Sequence, residues 1–173
     1  MTVATTTIYN SLTEKAMVYA KAGGSVTVRM TYQGNWMSGY VYVDWNNDGQ
    51  FTPVIESNKP AAGSDLVSYT HLNGYNSKGV AQSSGNSVVS DAITCPSFTI
   101  PEGTHPGVYR MRVKVDWDSD DAGGNNNSGN LLTANGGAIV DVLLNVHDAE
   151  VRISANQLNG DLNSSMWDEF WNC

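Results

Sequence analysis

Residues 108–117 read VYRMRVKVDW, and from Tyr109 onward this stretch alternates between apolar and charged side chains. One face carries Tyr109, Met111, Val113, Val115 and Trp117. The other face carries Arg110, Arg112, Lys114 and Asp116. Because successive side chains of a β-strand point to opposite faces, this period of two predicts a long strand with one buried face.

The same alternation recurs along the chain, and helical periodicity is nearly absent. It is clear in residues 25–32, 38–45 and 138–146, and weaker in 15–21 and 92–100. Long strands with one apolar face, joined by connections rich in Gly, Asn and Pro, predict an all-β fold, an antiparallel β-sandwich of jelly-roll or immunoglobulin-like type. The predicted core consists of Val41, Val43, Trp45, Met111, Val113, Val115, Val140 and Val142.

The opposite faces of two strands are expected to point outward. Tyr40 and Tyr42 share the outward face of their strand, and Arg110 and Arg112 share that of theirs. We expect the two arginines to pair with acids or to cover apolar surface with their stems, a structural role.

Length and charge restrict the kind of partner. The chain has 173 residues, the size of one ordinary domain, and a formal net charge of −8. An acidic surface argues against electrostatic binding to nucleic acid or to anionic membranes. No apolar run approaches the roughly 20 residues of a membrane helix, so no membrane insertion is expected. A protein with this negative charge is better suited to bind cations or neutral ligands than anions.

The chain divides into a main domain, residues 1–148, and a segment of different composition, residues 149–173, which is a tail or the start of a following domain. Within the domain, two long connections, about 52–91 and 118–137, are expected to be functional or disordered. The first residues show neither a basic nor an apolar stretch of a signal peptide. That fits a cytosolic protein or a domain of a longer exported one. Cys95 and Cys173 are expected to be free thiols, although one disulfide would also fit.

The sharpest local signal is Asp44-Trp45-Asn46-Asn47-Asp48-Gly49-Gln50. Oxygen-bearing side chains at alternating positions followed by Gly suit a hard cation such as Ca²⁺. We expect Asp44, Asn46 and Asp48 to bind it through side chains and Gln50 through its carbonyl, with Glu56 completing the shell. An EF-hand is excluded, because its twelfth position is Ile55 and no helix pattern flanks the loop.

A second acidic turn begins with Asp116 and Asp118. If both strands ended at the same edge of the sheet, these carboxylates would converge with Asp44 and Asp48, and a cation would relieve their repulsion. The alternative is a pair of solvated turns whose side chains satisfy local backbone N–H groups.

Catalysis finds little support in the sequence. A carboxylate pair for glycoside hydrolysis would need one acid with a raised pKa, which nothing around these polar turns predicts. The three histidines are scattered, and neither a nucleophile elbow nor the spacing of a zinc site occurs.

Aromatic side chains offer a way to bind sugar by stacking. Trp36 lies in a Gly-Asn-Trp turn, Tyr40 and Tyr42 lie on an outward face, and Tyr75 lies in the first long connection. These four are the candidate ligand-binding residues. The alternative is ordinary cross-strand packing. Trp45 and Trp117 are assigned to the core.

Two blocks carry a family resemblance. Residues 40–51, YVYVDWNNDGQF, resemble the V-W-I-D-W-N-x-D-G-x-F signature of bacterial GEVED domains. Residues 98–101 and then 107–113, GVYRMRV, resemble that family's second block. The acidic segment that names the family is replaced by Thr-Pro-Val-Ile-Glu-Ser, in which only Glu56 is acidic.

The resemblance implies a non-catalytic β-sandwich module of a secreted or cell-surface bacterial protein, often beside a glycoside hydrolase or peptidase domain. Two alternative functions are consistent with the resemblance. In the first, the domain binds glycan near a partner hydrolase. In the second, it is a spacer that is made rigid by bound calcium and contacts only neighbouring domains of its own polypeptide.

Overall fold

In a computed structural model the protein is all-β, and the described residues are 9–31, 36–82, 92–117, 122–124 and 137–148. The strands in these ranges are β1 (Tyr9–Ser11), β2 (Met17–Lys21), β3 (Ser25–Val26), β4 (Arg29–Thr31), β5 (Met37–Val43), β6 (Ile55–Glu56), β7 (Lys59–Pro60), β8 (Leu66–Tyr69), β9 (Ala92–Thr94), β10 (Phe98–Thr99), β11 (Gly107–Trp117) and β12 (Gly137–His147). The described residues contain no helix, and so none with the length and apolar character of a membrane span. The all-β prediction is confirmed.

The largest sheet is built around the two longest strands. Its order is β1-β12-β11-β5-β8, and β2 also pairs with β12. The pairs β12-β11, β11-β5 and β5-β8 are antiparallel, as predicted. β8 lies inside the first long connection, so part of that segment forms an edge of the sheet rather than a loop. Its strand pattern is too short to have been predicted from alternation alone.

The other edge departs from the antiparallel prediction. Both β1 and β2 run parallel to β12, β1 beside Ile139–Asp141 and β2 beside Leu143–His147. A turn joins them, in which the N–H of Ala16 donates to the carbonyl of Leu12 at 2.8 Å. Parallel neighbours need a long connection, and here most of the domain lies between β2 and β12. The sheet is therefore mixed.

One face of this sheet carries the predicted core. Val41 and Val43 are fully buried, and Met111, Val115 and Val142 nearly so. Val113, Val140 and Trp45 are half-buried and pack against the same cluster. Residues of the short pairs β3-β10 and β4-β9 complete the cluster: Val26, Met30, Ile93 and Phe98. The predicted facing of β5, β11 and β12 is confirmed.

The opposite face is buried as well, which the alternation did not predict. Tyr40 and Tyr42 are 0% exposed and form a second cluster with Phe51, Leu66, Tyr69 and Leu72. Arg112, Lys114, Asp116 and Asp141 are likewise buried. The reason is that a distant segment covers this face: the carbonyl of Ala122 accepts the hydroxyl of Tyr42 at 2.8 Å. The prediction that Tyr40 and Tyr42 face solvent is wrong.

Several predictions fall outside the described residues. They concern Asp118, Cys173, most of the second long connection and the whole segment 149–173.

Candidate functional site

The acidic loop, residues 44–52, folds around its own carboxylates. Asp44 accepts the N–H of Asp48 at 3.1 Å on Oδ1 and that of Gly49 at 3.0 Å on Oδ2. Asp48 accepts the N–H of Gln50 at 2.7 Å and the side-chain amide of Asn46 at 2.9 Å. Gly49 has a φ of +82°, which glycine adopts without steric cost. The carboxylates thus hold the turn together, as the alternative to a metal site predicted.

Asp65 closes this loop from the neighbouring β8 side, although no sequence pattern singled it out. Its carboxylate accepts the N–H of Trp45 at 3.3 Å and that of Thr52 at 2.8 Å. Burial raises the pKa of Asp65, the two backbone hydrogen bonds oppose that rise, and repulsion from Asp44 and Asp48 adds to it. The loop therefore concentrates negative charge in a poorly hydrated place.

The far end of the loop docks on the basic side of β11. Phe51 is fully buried, with the guanidinium of Arg110 4.7 Å and that of Arg112 4.5 Å from its ring centroid. Arg110 also donates to the carbonyl of Gly49 at 2.7 Å. These contacts attach the loop to the sheet independently of any ion.

Asp116, the described acid of the second acidic turn, does not join the first turn. β5 and β11 are antiparallel, so Met37 pairs with Trp117 while the N–H of Asp44 bonds to the carbonyl of Arg110. Asp116 lies beside that Met37–Trp117 pair, at the opposite end of the strands, roughly 20 Å from Asp44 at the rise of a β-strand. The convergence of the two turns is therefore excluded for Asp116. Its carboxylate instead accepts the N–H of Trp117 at 2.9 Å and lies 3.5 Å from Lys114 Nζ.

The remaining predicted ligands divide between the loop and its surroundings. Asn46 and Gln50 lie in the loop, whereas Glu56 is exposed in the β6-β7 hairpin and Asp118 is outside the described residues. Among the residues that are described, no group of three or more His, Cys, Asp or Glu side chains is arranged to hold a metal. Calcium binding by this loop stays a prediction.

The four predicted ligand-binding aromatics do not form one surface. Tyr40 and Tyr42 are buried, and the hydroxyl of Tyr40 donates to the carbonyl of His71 at 3.1 Å. Tyr75 is half-buried in a tight turn, where its N–H donates to the carbonyl of Leu72 at 3.0 Å. Trp36 is 40% exposed but precedes β5, at the end of that strand remote from the acidic loop.

A groove of about 680 Å³ lies next to the acidic loop instead. It is bounded by the β7-β8 connection, the turn after Ser77, and the segment that joins β10 to β11. Its size is that of a pocket for a small molecule or a few sugar rings. The side chains that define its chemistry are Trp45, Phe98 and Tyr109, with Lys59, Lys78 and His105.

Three aromatic side chains, Trp45, Phe98 and Tyr109, belong to both the groove and the core, and Trp45 is the least buried of them. Its indole is half-buried and meets the ring of Tyr109 edge-on, with centroids 5.6 Å apart. The hydroxyl of Tyr109 donates to the carbonyl of His105 at 2.8 Å, and the backbone N–H of Trp45 donates to Asp65 at 3.3 Å. The Tyr109 ring and the backbone of Trp45 are thus held in place before any ligand arrives.

Sequence reasoning placed Trp45 in the core and missed the groove. The assignment was correct in part, because Trp45 packs against the core cluster. It also lines the groove, since β5 ends at Val43 and residue 45 lies beyond the strand. A tryptophan at the last position of a predicted strand, directly before a polar turn, was the available signal.

A family model for the GEVED domain matches residues 38–141, more than half of the chain. The chain belongs to the GEVED domain family. The family resemblance of the two sequence blocks is thereby confirmed. Every residue that lines the groove of this GEVED domain lies inside the matched range, as do the acidic loop and the buried pair Arg112 and Asp141.

Two solved structures are similar to this GEVED domain at low identity. One is a family 123 glycoside hydrolase from Clostridium perfringens, with 12% identity, a TM-score of 0.36, and coverage of 80% of this chain and 24% of that chain. The other is the ASH/PapD-like domain 7 of human CEP192, with 10% identity, a TM-score of 0.32, and coverage of 78% and 83%. The chain thus spans about a quarter of the hydrolase. TM-scores below 0.5 establish neither a shared fold nor a shared function. No curated protein matches the chain.

Proposed function

We propose that this GEVED domain is a non-catalytic, carbohydrate-binding accessory module of a secreted or cell-surface bacterial protein whose other domains include a glycoside hydrolase. The observation that carries the proposal is the groove beside Trp45. A half-buried indole that packs on the core and also lines a concave surface offers an apolar platform for a sugar ring. Polar side chains around it, such as Ser64 and Thr104, offer hydrogen bonds to hydroxyl groups.

The arrangement of the acids favours binding over hydrolysis. A glycosidase needs two carboxyl groups facing the same bond. Among the described residues, no Asp or Glu lines the groove. The nearest buried acids, Asp44 and Asp65, use both of their carboxylate oxygens to accept backbone N–H groups of the loop.

We also propose that the fold is a β-sandwich. The six-stranded sheet is then one layer, and β3-β10 with β4-β9 contribute to the second. The core cluster lies between residues of both sets. Gly39 supports this packing, because a Cβ there would lie 2.7 Å from Met30 Cε and 3.1 Å from Ile93 Cγ2, so the layers approach at van der Waals distance.

A glycan array tests the proposal with a matched pair of variants. Trp45→Ala removes the groove aromatic, and Trp117→Ala removes an equally half-buried tryptophan from the other end of the sheet. We expect binding of at least one glycan, lost at least tenfold in Trp45→Ala and retained in Trp117→Ala. Backbone amide shifts of the wild type on titration with that glycan should map to residues 59–67 and 98–109. Retained binding in Trp45→Ala, or shifts elsewhere, would place the site outside the groove.

The alternative is a spacer that contacts only neighbouring domains of its own polypeptide. A spacer predicts that the tryptophans of the domain are buried, whereas Trp36, Trp45 and Trp117 all retain exposure. If the array shows no binding with or without calcium, the spacer is the better description.

We propose in addition that the acidic loop binds Ca²⁺ through Asp44, Asn46 and Asp48, with the carbonyl of Gln50. The oxygen-rich donor set suits a hard cation. The repulsion that Asp44 and Asp48 exert on the buried Asp65 is what a bound cation would relieve. Glu56 is a further predicted ligand.

A further inference from the structure

The groove is lined by two lysines, Lys59 and Lys78, and by His105, and no Asp or Glu of the described chain lines it. The whole chain carries 17 acidic and nine basic residues. The acidic character of the protein is therefore reversed at the groove.

The acids closest to the groove in sequence are directed elsewhere. Glu102 lies between the lining residues Pro101 and Gly103, but its Cγ packs against Gly23, 3.6 Å from where a Cβ would be. Asp65 follows the lining residue Ser64, but its carboxylate binds the backbone of the acidic loop. Neither acid pairs with the lysines of the groove, and Glu56, which is opposite Lys59 in the register of the β6-β7 hairpin, is not among the lining residues.

Lys59 is held by its surroundings. It follows Ser57 and Asn58, which both have positive φ as a tight two-residue hairpin requires. The hydroxyl of Tyr69 donates to the carbonyl of Asn58 at 2.8 Å and ties this hairpin to the sheet. The Lys59 stem packs on Gly79, where a Cβ would lie 2.6 Å from its Cε.

The same packing brings Lys59 to the turn that carries Lys78. In that turn, Asn76 Oδ1 accepts the N–H of Lys78 at 2.9 Å, and the N–H of Ser77 donates to the carbonyl of Tyr69 at 3.0 Å. Both lysines are thus mounted on turns tethered to the same residue of β8. The backbone of both turns therefore needs little ordering when a ligand binds.

Resting on the carbohydrate-binding function proposed above, we infer that the ligand is an anionic carbohydrate, whose carboxylate or sulfate groups are bound by Lys59 and Lys78 while a sugar ring stacks on Trp45. His105 also lines the groove, and its carbonyl accepts the hydroxyl of Tyr109. Ammonium groups bind carboxylate and sulfate oxygens by charge-assisted hydrogen bonds. A neutral sugar would leave this charge unused.

Two matched ligand pairs test the inference and separate the two anion types. Tetragalacturonate is compared with its fully methyl-esterified form, and a carrageenan tetrasaccharide with the same tetrasaccharide after desulfation. Each pair differs mainly in charge. Dissociation constants are measured by calorimetry at about 50 and 500 mM NaCl for four proteins: wild type, Trp45→Ala, Lys59→Gln/Lys78→Gln and Lys15→Gln/Lys21→Gln.

The control double variant removes the same charge from exposed lysines outside the groove lining. We expect one anionic ligand to bind the wild type more tightly than its neutral partner, and more weakly at high salt. Lys59→Gln/Lys78→Gln should weaken it roughly tenfold, the sum of two exposed ion pairs. Lys15→Gln/Lys21→Gln should change it less than twofold. The pair that shows the difference identifies carboxylate or sulfate as the recognised group.

Three results would overturn the inference. Equal affinity for anionic and neutral partners, still dependent on Trp45, would leave the carbohydrate site in place and remove its charge preference. If the two lysine double variants weakened binding equally, the attraction would come from the net charge of the protein and not from the lysines of the groove. Binding by none of the four ligands, while a neutral glycan of the array binds at Trp45, would refute the anionic class alone. If no glycan binds at all, the proposed function falls with it.

Discussion

Arg112 and Asp141 form a bidentate ion pair between β11 and β12, with Nε–Oδ1 and Nη2–Oδ2 distances of 2.7 Å each. Both residues are at most 1% exposed. The hydroxyl of Tyr9 adds a third bond to Asp141 at 3.0 Å, and Arg112 also donates to the carbonyl of Gly124. This pair therefore links the edge strand β1, the two central strands and the segment that covers the sheet.

Breaking this pair from one side should destabilise the domain severely. Arg112→Met leaves the Asp141 carboxylate buried without its counter-charge, and we expect a loss of about 3–5 kcal/mol in the free energy of unfolding. Urea unfolding measures it. The exposed Arg29 supplies the control, since Arg29→Met should change stability by less than about 0.5 kcal/mol.

Replacing both partners should cost less than the sum of the single variants, because Arg112→Met/Asp141→Leu leaves no unpaired charge. An Arg112→Ala protein that kept its stability but lost ligand binding would contradict the structural role given to this arginine.

Gly39 should tolerate a side chain poorly. The Cβ of Gly39→Ala would lie 3.1 Å from Ile93 Cγ2 and 3.2 Å from Cys95 Sγ, both buried, and Met30 Cε at 2.7 Å would have to move, so we expect overpacking to cost about 1–3 kcal/mol. Gly103→Ala is the matched control, because nothing lies within 4 Å of a Cβ at that position. Chemical denaturation of both variants gives the comparison. Equal stability of the two would show that the strands do not approach as closely as described.

Cys95 should resist thiol reagents in the folded protein. It is a free, buried thiol, and burial raises its pKa to about 12, so the reactive thiolate is scarce at about pH 8. In a Cys173→Ser background, a colorimetric disulfide reagent should label no thiol in the native protein and one after unfolding. Unfolded wild type without reductant should show both thiols. Rapid native labelling would place Cys95 outside the core.

Calcium should raise the melting temperature if the acidic loop binds it. At an affinity of about 10⁻⁴ to 10⁻³ M, as in extracellular modules, millimolar calcium adds on the order of 0.4–1.4 kcal/mol. In a domain of this size, that free energy corresponds to a rise of a few degrees in the melting temperature. Scanning calorimetry in EDTA and in CaCl₂ measures the shift.

Asp48→Asn is the informative variant for that experiment. Asp48 is exposed, and an amide oxygen can still accept the N–H of Gln50, so the turn is kept while a charge is lost. The calcium shift should shrink in this variant. Equal midpoints of the wild type in EDTA and CaCl₂ would leave the loop as a turn held by its own hydrogen bonds.

The sequence predicted well those features that depend on neighbours along the chain. The alternation in β11 identified a strand and its core face, and Val41, Val43, Met111 and Val142 are buried as expected. The spacing of Asp44, Asn46 and Asp48 predicted a tight turn whose side chains bond to its backbone, one of the two alternatives considered.

Features that depend on strand direction were less accessible. Asp44 directly follows β5, and Asp116 is the last residue but one of β11. From the sequence alone, both carboxylates were expected at one edge of the sheet. The antiparallel register of β5 and β11 puts them at opposite ends. The relative direction of two strands depends on whether they are neighbours in the sheet, and no local pattern says which strands are neighbours.

What the sequence determined by itself is therefore the all-β class, the family, the core face of each long strand and the shape of the acidic loop. Only the tertiary structure decided that the second face is covered, that Tyr40 and Tyr42 are buried, and that Trp45 borders a groove with Lys59 and Lys78. The physical reason is that alternation separates two faces of a strand but does not say what packs on either. Here the covering comes from Phe51 and from residues 122–124, and β8 brings the lysine-bearing turns beside Trp45 across a long stretch of chain.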